Sequence, residues 1–292
     1  MSKATDGTLV AAVIQMRSGR DVAANIDAAS TLIRQAAAEG ATYIQTPEMT
    51  NLLERSREEL FVKIRAERED PSVAVFAALA AELQIVLHVG SLAIRTGEDK
   101  AANRGFLFGT DGATLARYDK IHMFDVDLPN GESWRESATY QPGEEAIVVP
   151  AAGTLIGLGI CYDIRFPALF RAQAGAGARV LTAPAAFTRQ TGEAHWHVLQ
   201  RARAIENGAF VVSAAQGGRH EDGRETYGHS LVVAPWGEVI AEVDGDAPGY
   251  ALAVLDPEKA DDARRRIPAI ANQRSFTRVG PSGAASRTEA AE

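Results

Sequence analysis

Apolar residues follow two alternating rhythms along this chain. Residues 9–15 (LVAAVIQ) form a nearly unbroken apolar run, the pattern of a strand buried on both faces. Val22, Ile26, Ala29, Ile33 and Ala36 then recur at spacings of three and four. That spacing predicts an amphipathic helix, capped by Asp21 and ended by Gly40. Residues 43–46 read as a short strand stopped by Pro47, and 71–83 as an Ala-rich helix with Asp70 just ahead of Pro71. Residues 85–90 form another buried strand. Residues 104–109 and 114–118 flank Thr110-Asp111-Gly112-Ala113 and read as an antiparallel hairpin.

The second half repeats this vocabulary. Strands are predicted at 146–149, 154–160, 178–182, 210–214, 230–234, 239–243 and 251–255, with Pro235-Trp236-Gly237 as a turn. Helices are predicted at 166–175 and 193–207, the latter closed by Gly208. Strands alternating with helices predict layered α/β structure. No repeat of fixed period and no Pro/Ser-rich linker divides the chain, so one domain over 1–278 is expected. The Gly, Ser, Ala and charged residues of 279–292 predict a disordered tail.

Composition narrows the functional classes. Of 292 residues, 46% are apolar and 23% charged, ordinary globular values that exclude wholesale disorder. The net charge of −8 disfavours nucleic acid or anionic lipid as a partner. No apolar run reaches the roughly 18 residues of a membrane span, and residues 1–7 lack the pattern of a secretory leader, so a cytoplasmic protein is expected. A single cysteine excludes an internal disulfide and a thiolate-rich metal site.

That cysteine, Cys161, stands where an apolar strand runs into a turn before a helix, a place that can hold a nucleophile clear of a sheet. A lone cysteine there is more often an inert, buried small hydrophobe. None of the six histidines stands out as its base, and His195 and His197, two apart on a helix, would point in different directions rather than pair on a metal. Glu48, Lys120 and Glu136 are the other ionisable residues with unusual neighbourhoods. Glu48 and Lys120 follow predicted strands, and ligand sites in α/β sheets cluster where strands end.

Pro47-Glu48, the run from Tyr118 through Lys120 to Asp125, and Gly159-Ile160-Cys161-Tyr162-Asp163-Ile164-Arg165-Phe166-Pro167 resemble, in order and spacing, the three signatures of the nitrilase, or carbon–nitrogen hydrolase, superfamily. The likeness extends over roughly residues 8–278 and is nearest the Nit-type amidases, the branch of ω-amidase and deaminated glutathione amidase. Residues 204–207, 214–216 and 227–237 lean toward the second of these. The resemblance implies a four-layer α-β-β-α sandwich with mixed sheets, assembled as a homodimer or higher homo-oligomer. It also implies cofactor-free and metal-free hydrolysis of a small non-peptide amide to acid plus ammonia. Cys161 would be nucleophile, Glu48 general base, Lys120 oxyanion stabiliser and Glu136 a second, positioning carboxylate, with the Tyr162 N–H as the other oxyanion donor. Arg165 and Arg189 are candidates for a substrate carboxylate, since guanidinium binds carboxylate two-pronged. Ala168 departs from the pattern, where relatives usually carry Glu, so an effect on local packing or pocket shape is expected. Nitrile or N-carbamoyl substrates would use the same residues, and a catalytically silent scaffold is the rival from another class.

Overall fold

The computed structural model describes residues 8–129, 131–279 and 285–288. In chain order its strands open with β1 (Leu9–Gln15), β2 (Tyr43–Gln45), β3 (Val86–Arg95), β4 (Ala101–Phe108) and β5 (Thr114–Asp119). A short pair follows, β6 (Asp125–Asp127) and β7 (Ser133–Arg135). Next come β8 (Val148–Ala151), β9 (Thr154–Gly157), β10 (Val180–Thr182) and β11 (Phe210–Ser213). The rest are β12 (Gly217–Arg219), β13 (Glu225–Tyr227), β14 (Leu231–Val233), β15 (Val239–Glu242), β16 (Gly249–Leu255), β17 (Phe276–Val279) and β18 (Ala285–Thr288). The helices are α1 (Val22–Ala38), α2 (Arg57–Lys63), α3 (Pro71–Leu83), α4 (Pro167–Gly175), α5 (Arg189–Asn207) and α6 (Glu258–Arg266).

Two six-stranded mixed sheets carry the architecture, ordered β16-β1-β2-β3-β4-β5 and β15-β14-β11-β10-β9-β8. The two-residue period of a strand sorts β1 between layers. Leu9, Ala11 and Val13 join the core shared with Leu181 and Val211 of the other sheet. Ala12 and Ile14 instead pack with Ile33 of α1 and Phe76 of α3. With α4 and α5 against the second sheet, the order is helix, sheet, sheet, helix. This is the expected α-β-β-α sandwich.

Strand direction positions the site. β1, β2 and β3 run parallel, as do β9, β10 and β11. β4 is antiparallel to β3 and β5 to β4, so β5 points the same way as β3. The segments leaving β2, β5, β9 and β10 therefore emerge along one rim, the usual place for ligands in such sheets. Gly90 of β3 permits their convergence, because a Cβ there would lie 2.2 Å from the Thr46 carbonyl oxygen and 2.5 Å from the Pro184 Cβ.

Several boundaries differ from the pattern reading. α5 starts at Arg189 because the Thr188 side chain caps it, accepting the Thr191 N–H, and it ends at Gly208 in the left-handed region. β9 stops at Gly157, short of Cys161. Within 279–292, where a disordered tail is expected, residues 285–288 form β18, which pairs antiparallel with β17. The remainder of that tail lies outside the described residues.

Candidate active site

Each reactive side chain sits just past the end of an element. Glu48 follows β2 and Pro47, in a turn where Met49 adopts φ +55°. Lys120 follows β5 directly, and Glu136 follows β7. Cys161 opens a short 3₁₀ turn, Cys161–Arg165, with φ +48°, in the left-handed region that a non-glycine residue occupies at a cost. Its N–H is anchored on the Pro184 carbonyl at 2.9 Å. Among the described residues the next amide, Tyr162 N–H, has no protein acceptor, as befits the first turn of a helix.

The four groups meet. Lys120 Nζ lies 2.8 Å from Glu48 Oε1 and 3.0 and 2.8 Å from the two oxygens of Glu136. Glu48 Oε2 accepts the Ala186 N–H at 2.8 Å, and Glu136 Oε2 the Phe124 N–H at 2.7 Å. Cys161 lines the same cavity as Glu48, Lys120 and Glu136, close enough for the Glu48 carboxylate to act on its thiol. Lys120 is 2% exposed, Glu48 4% and Cys161 8%, so these charges interact with little solvent between them.

The protonation states follow from burial against neighbours. Burial alone would raise the Glu48 pKa, but the charge of Lys120 and hydrogen bonds from Lys120, Cys161 and Asn103 outweigh it and hold the carboxyl below its ordinary range. Burial would likewise lower Lys120, yet the charges of Glu136 and Glu48 prevail and raise it well above the usual lysine value. The Cys161 thiol is pushed well up by burial, with the Glu48 charge adding to it and Lys120 opposing. The resting site is thus thiol, carboxylate and ammonium. Such a set can move one proton from sulfur to carboxylate while a fixed cation faces a developing anion.

The sequence model of the carbon-nitrogen hydrolase family matches residues 10–265. This chain is a carbon–nitrogen hydrolase. The hydrolase is 36% identical over 272 residues to the deaminated glutathione amidase of Synechocystis sp. (strain PCC 6803 / GT-S), a match covering 89% of this chain and 96% of that one. Its fold resembles the crystal structure of Saccharomyces cerevisiae Nit3, a member of branch 10 of the nitrilase superfamily, with TM-score 0.81, 31% identity and coverage of 91% and 97%. It also resembles a mutant of the amidase from Nesterenkonia sp. AN1 carrying the result of Michael addition of acrylamide at the active site cysteine. There the TM-score is 0.74, the identity 27% and the coverage 89% and 98%.

In the hydrolase a cavity of about 350 Å³ opens onto these four groups. Arg165 lines it, half-buried, its guanidinium 5.9 Å from the Tyr162 ring centre and 5.3 Å from that of Phe187. Arg165 Nη2 also comes within 3.3 Å of His195 Nδ1, whereas His197 pairs with Glu242, so the two histidines do point apart. Arg189, the other candidate for a substrate carboxylate, lies elsewhere. It does not line the cavity, and its guanidinium pairs with Asp246 at 2.6 Å and Glu225 at 3.3 Å, acids too distant in sequence to foresee. Ala168, exposed on α4, is likewise away from the cavity.

One residue escaped the sequence reading. Asn103, fully buried in β4, donates from Nδ2 to Glu48 Oε1 at 2.8 Å and to Glu136 Oε1 at 3.0 Å, bridging the two carboxylates at the same oxygens that Lys120 contacts. Its signal was a polar side chain within the apolar stretch before Lys120.

Proposed function

We propose that this hydrolase cleaves the amide of deaminated glutathione, with Cys161 as nucleophile. The 2-oxo-acid half of that substrate is joined through its distal carbonyl to cysteinylglycine, so hydrolysis yields 2-oxoglutarate and the dipeptide. The departing group is then the dipeptide's amine, whereas a small ω-amide would release ammonia. Such a substrate carries two carboxylates. The observation that carries the reading is the charge of the cavity: six cationic side chains line it against four anionic ones, in a chain whose net charge is −8. The likeness to deaminated glutathione amidases points the same way.

In the mechanism, Glu48 takes the thiol proton as Cys161 sulfur attacks the carbonyl carbon. Because the carboxyl pKa is low and the thiol pKa high, the transfer accompanies attack and does not precede it. The oxyanion forms against Lys120 and the Tyr162 N–H. Glu136 engages Lys120 with both oxygens, so one ammonium hydrogen can turn to the oxyanion. Glu48 then returns its proton to the departing nitrogen, the C–N bond breaks, and a thioester remains. Water, deprotonated by Glu48, attacks the thioester and frees acid and thiol.

No helix among the described residues is long and apolar enough to cross a membrane. We place the enzyme in the cytoplasm as a homodimer, a reading supported by the exposed apolar Val198 and Ile205 on α5 and Trp236 beyond it. The deciding assay measures 2-oxoglutarate release from deaminated glutathione and 2-oxoglutaramate, and ammonia release from an N-carbamoyl amino acid and a nitrile. The tripeptide-derived amide should show the highest kcat/KM, and Cys161→Ala should abolish turnover with an unchanged circular dichroism spectrum. Preference for another member of the panel, or substantial activity in the alanine variant, overturns the reading.

A further inference from the structure

The cavity's arginines are not equivalent. Arg135 is held by Asp127 at 2.9 Å, Arg224 by Asp222 at 2.8 Å, and Arg57 by the Asp99 carbonyl at 2.6 Å. Arg55, exposed at the cavity mouth, has no hydrogen-bonded or ionic partner among the described residues. Its guanidinium lies 4.7 Å from the centre of the Trp134 ring, whose other neighbour is Arg224 at 5.1 Å. Stacking orders the fork while leaving its N–H edge open to a planar anion.

Arg55 and Arg165 stand at the two ends of one aromatic wall. From the Arg165 guanidinium the steps run 5.9 Å to Tyr162, 5.1 Å to Phe124, 6.4 Å to Trp134 and 4.7 Å to Arg55. The reacting groups meet the wall between these ends, since Cys161 adjoins Tyr162 and Glu136 accepts the Phe124 N–H. Chemistry assigns the ends different tasks. The acyl half must stay bound through the thioester stage, which suits half-buried Arg165. The amine half must leave, which suits the exposed mouth.

We propose that Arg55, stacked on Trp134, is a subsite for the carboxylate on the leaving-group side of the substrate, so that the enzyme selects amides whose amine portion ends in an acid. This rests on the reading of the preceding subsection and adds which residue distinguishes a dipeptide amide from a simple one. The test compares kcat/KM on 2-oxoglutaryl-cysteinylglycine and on the same compound with its terminal carboxylate converted to a carboxamide. Wild type should favour the acid by about tenfold or more, the scale of one charge-assisted hydrogen bond. Arg55→Met, which keeps an apolar stem on Trp134, should bring that ratio close to one, mainly through KM, and Arg55→Lys should retain part of it. A wild-type ratio near one, or an unchanged ratio in Arg55→Met, overturns the subsite while leaving the amidase reading intact. Preference of the wild type for 2-oxoglutaramate over both compounds overturns the two together.

Discussion

The Tyr118 hydroxyl donates a 2.7 Å hydrogen bond to Asp163 Oδ2, tying the strand that delivers Lys120 to the turn that carries Cys161. Asp163 is fully buried and its carboxylate also accepts the Ile160 N–H at 2.9 Å and the His122 N–H at 3.0 Å, with the His122 ring nitrogen 2.7 Å away. The left-handed Cys161 is thus braced from beneath by groups on both signatures of the site. A buried carboxylate deprived of one donor loses more than a neutral acceptor would.

Tyr118→Phe should therefore cost about 1.5–3 kcal/mol, the range for a hydrogen bond to a charged group. It should also lower kcat more than it raises KM, because what shifts is the spacing of nucleophile and ammonium. Urea unfolding beside steady-state kinetics checks both. Unchanged stability would mean that the other donors suffice for Asp163.

Lys120→Met leaves Glu48 and Glu136 facing each other through Asn103 with no cation between them. Loss of the proposed oxyanion donor should cut kcat by about 10²–10³, and the broken buried ion pair should cost about 3–5 kcal/mol at neutral pH. The pH dependence carries a definite sign. In the wild type the lowered Glu48 pKa gives a stabilisation present above the ordinary carboxylate range and lost as pH falls through the folded value. The raised Lys120 pKa gives one fully present below 10.5 and lost as pH rises through its folded value. In the variant, the burial of Glu48 is opposed only by its remaining hydrogen bonds, so protonation relieves it. The stability gap between the two proteins should shrink as pH falls from 7 toward the carboxylate range. A gap constant with pH would show that Lys120 does not set these protonation states.

What could be read from the sequence followed the range of the interactions involved. Cys161, Glu48 and Lys120 stood out because apolar runs stop beside them, which is a local signal. Glu136 follows the short β6–β7 pair, whose outward residues give no apolar period; its aromatic-containing neighbourhood drew notice, but only the motif likeness gave it a role. α2 and α6 bury one residue, Leu60, and two, Ala260 and Ala263, too few to write a helical rhythm. Asn103 is legible only once Lys120 and Glu48 are known to be neighbours. Arg189 shows the converse, since a local reading gives a free guanidinium and two acids supplied by distant strands and loops consume it.

His88 supplies an independent check on the buried layer between the sheets. Its Nδ1 lies 2.9 Å from the Tyr43 hydroxyl and 3.1 Å from Gln45 Nε2. Gln45 Oε1 accepts the Ala214 N–H at 2.7 Å, which orients the amide so that its NH₂ faces His88. The imidazole nitrogen therefore accepts, and the ring is neutral. Burial pushes its pKa from 6.5 down to about 3. Because the folded value lies below the unfolded one, this site weakens the fold as pH falls from 6.5 toward 3, by about 1.4 kcal/mol per pH unit. His88→Asn keeps an acceptor near Nδ1 and removes the titration. At pH 7.5 it should be less stable than the wild type by about 1–2 kcal/mol, for lost packing. Below pH 6.5 the two stability curves should converge and then cross, as urea titrations at half-unit intervals would reveal. Parallel curves would show that His88 is protonated inside the fold, and with it that the hydrogen bonds assigned to Nδ1 run the other way.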